Sequence, residues 1–182
     1  QGKVRVIGAS NYSAPRLADA LTVARKLGLP RYETLQPEYN LANRAGYEHA
    51  LEPLARRENL GVLGYYALAS GFLSGKYRSL ADLARHTARS AAVRRYLDAR
   101  GLHLLEALDR VAESHKASVA QVALAWLIAR PGVAAPIVSA TSVAQLEELL
   151  GAVELKLQPN EIVYLTSLDT EFPPVRPRVE YH

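Results

Sequence analysis

Chemistry in this chain would have to come from neutral hydrogen-bonding groups and tyrosines at the ends of short apolar runs. The run Val4-Arg5-Val6-Ile7 leads through Gly8 to Ser10, Asn11 and Tyr12. "YETLQP" carries Gln36, with Glu38 and Tyr39 just beyond it. "GVLGYYAL" carries Tyr65 and Tyr66, and "AAPIVSA" leads through Ser139 to Thr141 and Ser142. Ser, Asn and Gln supply the donors and acceptors that a carboxamide needs. A tyrosine ring stacks on a flat heterocycle. A helix start after the fourth run offers N–H groups and a favourable dipole to a phosphate. In "SGFLSGKY", Gly71 and Gly75 permit close backbone approach and Lys76 adds a point charge. Carboxamide, flat ring and phosphates together describe a nicotinamide dinucleotide.

Each piece also has a plainer reading. Ser10-Asn11 alone reads as turn residues ahead of a helix, and Ser142 as a helix cap. Tyr65 and Tyr66 fit packing as well as stacking, and a loop lysine is ordinarily solvated. Gln36 in an apolar strand is more pointed, because a buried amide must be paired. Recurrence of such groups at successive strand ends favours the binding reading. Catalytic groups are harder to find. His49, His86, His103, His115 and His182 fall in helices, loops or the tail, where a surface position is ordinary. No Asp or Lys lies within the four runs, and Glu38 has no evident partner. No general acid with a tuning neighbour can be assembled. Metal-ligand spacing, a GxGxxG fingerprint and a P-loop are absent.

The elements that must position these residues alternate strand and helix. Strands are expected over 4–9, 32–37, 61–68 and 134–140. The first helix should run over 15–27, with Ser13 as N-cap, Pro15 in the first turn and Gly28 as stop. Further helices are expected over 47–58, 102–114, 118–130, 143–150 and 159–168, with a short one within 80–97. Ser118 with Gln121, and Ser142 with Gln145, have the spacing of capping boxes. Residues 69–79 read as a loop, and the Pro-rich 172–182 as an extended tail. Such alternation argues for a parallel sheet with helical crossovers, either doubly wound or part of a βα barrel. Four strands are half of a complete eight-unit barrel.

The chain has 182 residues, 49% apolar and 22% charged, which suits one folded domain. The net charge of +4 is spread over scattered arginines, a solvated basic face rather than a nucleic-acid footprint. The absence of cysteine excludes disulfides, thiolate metal sites and cysteine nucleophiles. No apolar run reaches the ~20 residues that cross a bilayer. No signal peptide opens the chain, so a cytoplasmic location is the default expectation. The chain opens on Gln1 and holds no Met, so an upstream segment is expected.

"GKVRVIGASNYS", "LQPEYNL", "GVLGYYALASGFLSGKY" and "SATSVAQLEELL" follow one another in an order and at spacings that resemble the aldo-keto reductase superfamily. The likeness is to bacterial members related to potassium-channel β subunits, and it covers residues 2 to about 168. The resemblance implies an α/β fold, the C-terminal half of a (β/α)8 TIM barrel, comprising strands five to eight with their helices. It implies NADPH bound in extended form. Ser10, Asn11 and Gln36 match positions that hold the carboxamide, and Tyr65 the position that stacks on the nicotinamide. Leu68, Ser70 and Lys76 match the loop around the pyrophosphate. Thr141, Gln145 and Glu148 match positions around the adenosine and its 2′-phosphate. Many members have Gly or Lys at the position of Ser139 and Asn at that of Leu149. Without that basic residue, NADH is not excluded.

The family's catalytic Asp, Tyr, Lys and His come from strands one to four, so no catalytic residue is transferred, and Tyr12, Tyr39 and Tyr66 are not promoted to the role. The first expectation is the cofactor-binding half of an NADPH-dependent reductase acting on a small carbonyl substrate. The alternatives are a non-enzymatic NADP-binding or interaction module, or an inactive truncated fragment. Open strand edges invite self-association or an N-terminal half-barrel partner. Neither nucleic acid nor membrane is expected as a partner.

Overall fold

The computed structural model describes residues 1–85, 90–168 and 172 of the chain. Four strands, β1 (Ile7–Ser10), β2 (Tyr32–Gln36), β3 (Gly61–Gly64) and β4 (Val133–Pro136), form one parallel sheet in the order β1-β2-β3-β4. A doubly wound sheet reverses its strand order at a switch point and carries helices on both faces. This sheet keeps sequence order throughout, which is the winding of a βα barrel.

Alternation along the strands decides what each face does. Ala9, Leu35 and Val62 are buried and join the hydrophobic core with Leu17, Leu21, Leu54, Leu124 and Trp126. On the other face Gly8 and Ser10 are exposed, and Thr34, Gln36 and Leu63 are half-buried. One face is therefore covered by helices and the other is open. Leu35 and Val62 are fully buried, so a one-residue slip would expose the apolar set and bury the polar one.

The strands are shorter than their apolar runs. β1 starts at Ile7, opposite Tyr32, where β2 also begins. Val4 and Val6 therefore have no facing backbone and stay exposed. β3 stops at Gly64; Tyr65 adds a single bridge to Glu38, and Tyr66 then turns away with φ 54°. β4 ends at Pro136, whose missing N–H interrupts pairing, although the next N–H, of Ile137, still reaches the Gly64 carbonyl at 2.8 Å.

The helices follow their local signals, with corrections. α1 (Ala14–Leu27) starts after Ser13, which has extended geometry but makes no side-chain cap bond, and stops at Gly28, φ 63°. The helix expected over 47–58 is two, α2 (Ala45–Glu48) and α3 (Leu51–Arg57). Pro53 explains the break: continuing the helix would cost its bond to the fourth residue back and crowd that carbonyl. The expected loop 69–79 contains 3-10 turns over Ala69–Ser74, broken by a kink at Ser70 and Gly71. α4 (Leu80–Arg85) and α5 (Ser90–Arg94) replace the single short helix, and 86–89 with His86 lie outside the described residues.

α6 (Ala99–His115) begins earlier than expected, because the Asp98 side chain accepts from the Gly101 N–H. α7 (Val119–Ile128) carries the full Ser118/Gln121 capping box. α8 (Val143–Leu150) has half of one: Ser142 accepts from the Gln145 N–H, but the Gln145 amide turns to Thr141. α9 (Pro159–Ser167) is capped by Gln158 with Glu161. The expected extended tail lies outside the described residues except Phe172, which is buried with its ring 5.0 Å from that of Tyr96.

Behind the sheet the core is aromatic. Trp126 is fully buried, with the Tyr39 ring at 5.8 Å and its indole N–H donating to Thr166 at 3.0 Å. Trp126→Ala should lower the unfolding free energy by about 3–5 kcal/mol, read from denaturant midpoints at constant slope.

α6 and α9 are joined by His115 and Glu161 at 2.8 Å. Burial pushes the Glu161 carboxyl up. The Gln158 backbone N–H and His115 outweigh it and hold the group below its ordinary 4.5. Its contribution to stability is present above that value and fades as pH falls through the lowered one. Glu161→Gln should therefore flatten the loss of stability as pH falls below 4.5, measured by denaturant unfolding at each pH.

Candidate functional site

At the carboxyl ends of β1, β2 and β3 the side chains lock together. Register pairs Ser10 with Gln36. Ser10 Oγ donates to the Gln36 backbone carbonyl at 3.1 Å, and Asn11 Nδ2 donates to Ser10 Oγ at 3.1 Å. Tyr65 Oη closes the chain by donating to Asn11 Oδ1 at 2.8 Å. Asn11 holds φ 60°, a left-handed conformation that asparagine tolerates better than most residues. Ser10, Asn11, Gln36 and Tyr65 thus form one cluster.

Gln36 was expected to be buried and paired. It is half-buried, and its side-chain amide finds no hydrogen-bond partner among the described residues. A carboxamide with both donor and acceptor uncommitted faces the open side of the sheet, beside a cluster whose other groups are already oriented. Gly8, Ala9, Ser10, Thr34, Gln36 and Leu63 line a depression of about 270 Å³ there. That is smaller than pockets that bury a drug-sized ligand, and it suits one flat ring rather than a whole dinucleotide.

Gly8, Thr34 and Leu63 were not singled out from the sequence. The signal was available, since Thr34 and Leu63 each stand two residues before Gln36 and Tyr65 on the same strand face. Gly8 is required by close approach: a Cβ there would lie 2.2 Å from Thr34 Oγ1.

The loop after β3 carries Leu68, Ser70 and Lys76. It is wound left-handed at Ala69, Ser70 and Gly71 and again at Gly75. The Leu68 carbonyl is spent internally, accepting from the N–H groups of Gly71 and Leu73. Lys76 is exposed, its Nζ 5.0 Å from the centre of the Tyr77 ring. Arg78 anchors the loop to α6, donating to the Gly75 carbonyl at 2.8 Å and to both carboxylate oxygens of Asp109 at 2.5 and 2.7 Å.

Thr141, Gln145 and Glu148 stand together beyond β4, all exposed. Gln145 Oε1 accepts from the Thr141 N–H and hydroxyl, each at 2.9 Å. The Glu148 backbone carbonyl accepts from Gln121. Among the described residues no hydrogen bond joins this group to the Ser10–Tyr65 cluster.

Among the described residues, Tyr12, Tyr32, Tyr39 and His115 are engaged in contacts within the fold. Tyr12 and Tyr32 share a hydroxyl contact at 3.1 Å, and that bond is the main reason the Tyr32 phenol is raised. Tyr39 is fully buried and donates to Glu48 at 2.8 Å. Burial first, then Glu48, holds its hydroxyl protonated far above the ordinary range of a phenol. His49 and His103 are exposed, as expected, whereas His115 is half-buried on Glu161. His182, like His86, lies outside the described residues. Among the described residues no group of His, Asp or Glu could hold a metal, and no helix is long and apolar enough to cross a membrane.

The site generates a direct expectation. Gly8→Ala should destabilise the chain by about 1–3 kcal/mol through overpacking against Thr34, and Thr34→Ala in the same chain should return part of it. Denaturant unfolding of the two variants checks this.

Comparison with known proteins adds a second line of argument. The model of the aldo/keto reductase family matches residues 1–170. The chain is 32% identical over 169 residues to Protein tas of Escherichia coli (strain K12), which covers 92% of this chain and 48% of that protein. It is 34% identical over 153 residues to a probable voltage-gated potassium channel subunit beta of Oryza sativa subsp. japonica, 81% of this chain and 46% of that one. It is 36% identical over 178 residues to the uncharacterized oxidoreductase Mb2320 of Mycobacterium bovis, 96% of this chain and 52% of that one. The chain spans about half the length of these relatives.

Proposed function

Because the chain belongs to the aldo/keto reductase family, we propose that it is the C-terminal, cofactor-holding half of an NADPH-dependent carbonyl reductase. The uncommitted Gln36 amide beside the oriented Ser10–Asn11–Tyr65 cluster carries this reading. Ser10, Asn11 and Gln36 would hold the carboxamide, and Tyr65 would lie against the nicotinamide face. The loop of Leu68, Ser70 and Lys76 would follow the pyrophosphate. Thr141, Gln145 and Glu148 would meet the adenosine end. NADH is admitted as well, since Ser139 supplies no positive charge to a 2′-phosphate.

The depression at Gly8, Thr34 and Leu63 has room for the nicotinamide ring, so the residues present fit the group. The bound cofactor supplies hydride chemistry at its ring. Ser10, Asn11, Gln36 and Tyr65 would hold and orient that ring. A proton donor to the carbonyl oxygen would come from outside the chain.

The bare sheet face supports the half-barrel part of the reading. Parallel sheets are ordinarily buried on both faces. Here one face is open, β1 and β4 are edges, and α8 buries none of its residues, with Val143 72% exposed. Four further βα units, roughly the length by which the relatives exceed this chain, would cover all of these. A binding module without catalysis is the second reading. It is favoured by Tyr12 and Tyr39, whose hydroxyls are tied to Tyr32 and Glu48.

Titration of the chain with NADPH, followed through tyrosine and Trp126 fluorescence, tests the proposal. Saturable quenching is expected, and Gln36→Ala should weaken it about tenfold, the worth of one or two hydrogen bonds. Binding that ignores Gln36→Ala, or a folded chain that never saturates, would count against it.

A further inference from the structure

Asn40 is a fully buried polar residue, four positions beyond Gln36. Both ends of its side chain are committed. Oδ1 accepts from the Ala42 N–H at 3.0 Å, and Nδ2 donates to the Tyr66 carbonyl at 3.0 Å. The Ala69 N–H converges on the same carbonyl at 2.6 Å. Tyr66 itself is held at φ 54°, a conformation that a bulky side chain adopts only when its surroundings impose it.

The preceding peptide is fixed differently. The Tyr65 N–H donates to the Pro37 carbonyl at 2.9 Å, and the Tyr39 N–H to the Tyr65 carbonyl at 3.3 Å. The chain is thus zipped to the segment after β2 as far as Tyr65 and then turned sharply at Tyr66. The Tyr65 ring emerges at this turn, 5.2 Å from the ring of Tyr66, and its hydroxyl reaches Asn11.

We infer that Asn40 is a positioning residue of the site. Its buried amide clamps the Tyr66 carbonyl in the left-handed turn, and through that turn sets the Tyr65 ring against Asn11 and launches the Ala69–Ser74 segment. The clamp stands on geometry alone. Only its consequence for NADPH rests on the function proposed above.

Asn40→Asp tests the clamp, because it keeps the acceptor for the Ala42 N–H and puts a second oxygen against the Tyr66 carbonyl. In the 182-residue chain carrying isotope-labelled tyrosine, Tyr65 ring resonances are assigned from Tyr65→Phe. Asn40→Asp is expected to shift those resonances and to weaken NADPH binding about tenfold, one neutral hydrogen bond's worth. Tyr66→Gly relieves the left-handed turn and lets that peptide rotate. In its presence Asn40→Asp should lose less than half as much unfolding stability as in the parent chain. Tyr65 resonances that stay in place, or an equal stability loss in both backgrounds, would overturn the clamp. If Asn40→Asp alone does not fold, recovery of a folded chain by adding Tyr66→Gly supports the clamp and failure to recover overturns it. Shifted resonances and coupled stabilities in a chain that does not take up NADPH would uphold the clamp and refute the cofactor reading.

Discussion

The parallel register that sets Ser10 beside Gln36 is the constraint on which this chain depends. It carries one set of side chains toward the helices and the alternate set toward open space. Ala9, Leu35 and Val62 lock it by filling the core, where any shift by one residue would bury the Ser10 hydroxyl and the Gln36 amide. The β2–β3 pairing continues to a bridge between Glu38 and Tyr65, and the clamped turn at Tyr66 then leaves the Tyr65 ring next to Asn11. Gly8 belongs to this constraint too, since only a residue without Cβ admits Thr34 so close.

What holds the register from behind is a mixed polar and aromatic block. Tyr39 packs, with its ring tilted to both, between Tyr47 at 4.5 Å and Trp126 at 5.8 Å, while its hydroxyl accepts from Arg130 at 3.0 Å and donates to Glu48. Arg130 lies 3.6 Å from Glu48, so the buried phenol and the half-buried carboxylate and guanidinium satisfy one another. Arg44 extends the block by donating to the carbonyls of Thr166, in the last turn of α9, and Leu168, just after it. The segment between β2 and α2 is thereby tied to α7 and α9, and the strand ends in front of it inherit that rigidity. Behind the sheet the Tyr39, Glu48 and Arg130 groups pair with one another, whereas Arg44 Nε and the Tyr47 hydroxyl, like the Gln36 amide in front, have no hydrogen-bond partner among the described residues.

The fold was legible where local signals and packing agree. The alternation of strands and helices, the Gly28 stop and the Ser118/Gln121 capping box stand as read. Strand ends were not legible. Val4 and Val6 have the composition of a strand but lack a neighbour, and a neighbour is a tertiary fact. The left-handed winding of Ala69 and Ser70 could not be read either, because neither residue type prefers it; the fixed ends at Tyr66 and Arg78 impose it. For the candidate site, residue type and strand-end position point to Ser10, Asn11, Gln36 and Tyr65, and the structure brings these four together, Gln36 through its backbone carbonyl. Thr34 and Leu63 were passed over because a threonine and a leucine in a strand read as filling. Asn40 was passed over because a turn asparagine reads as solvated. Burial separates these cases, and burial depends on what the rest of the chain packs against them.

An NMR footprint of NADPH on the labelled chain, read at side-chain amides as well as the backbone, tests whether the strand-end groups hold the cofactor. The Gln36 amide pair, the Asn11 amide pair and the Tyr65 ring should shift together and saturate at one common concentration. Shifts confined to other surfaces, with those three groups unmoved in a folded chain, would contradict the cofactor reading.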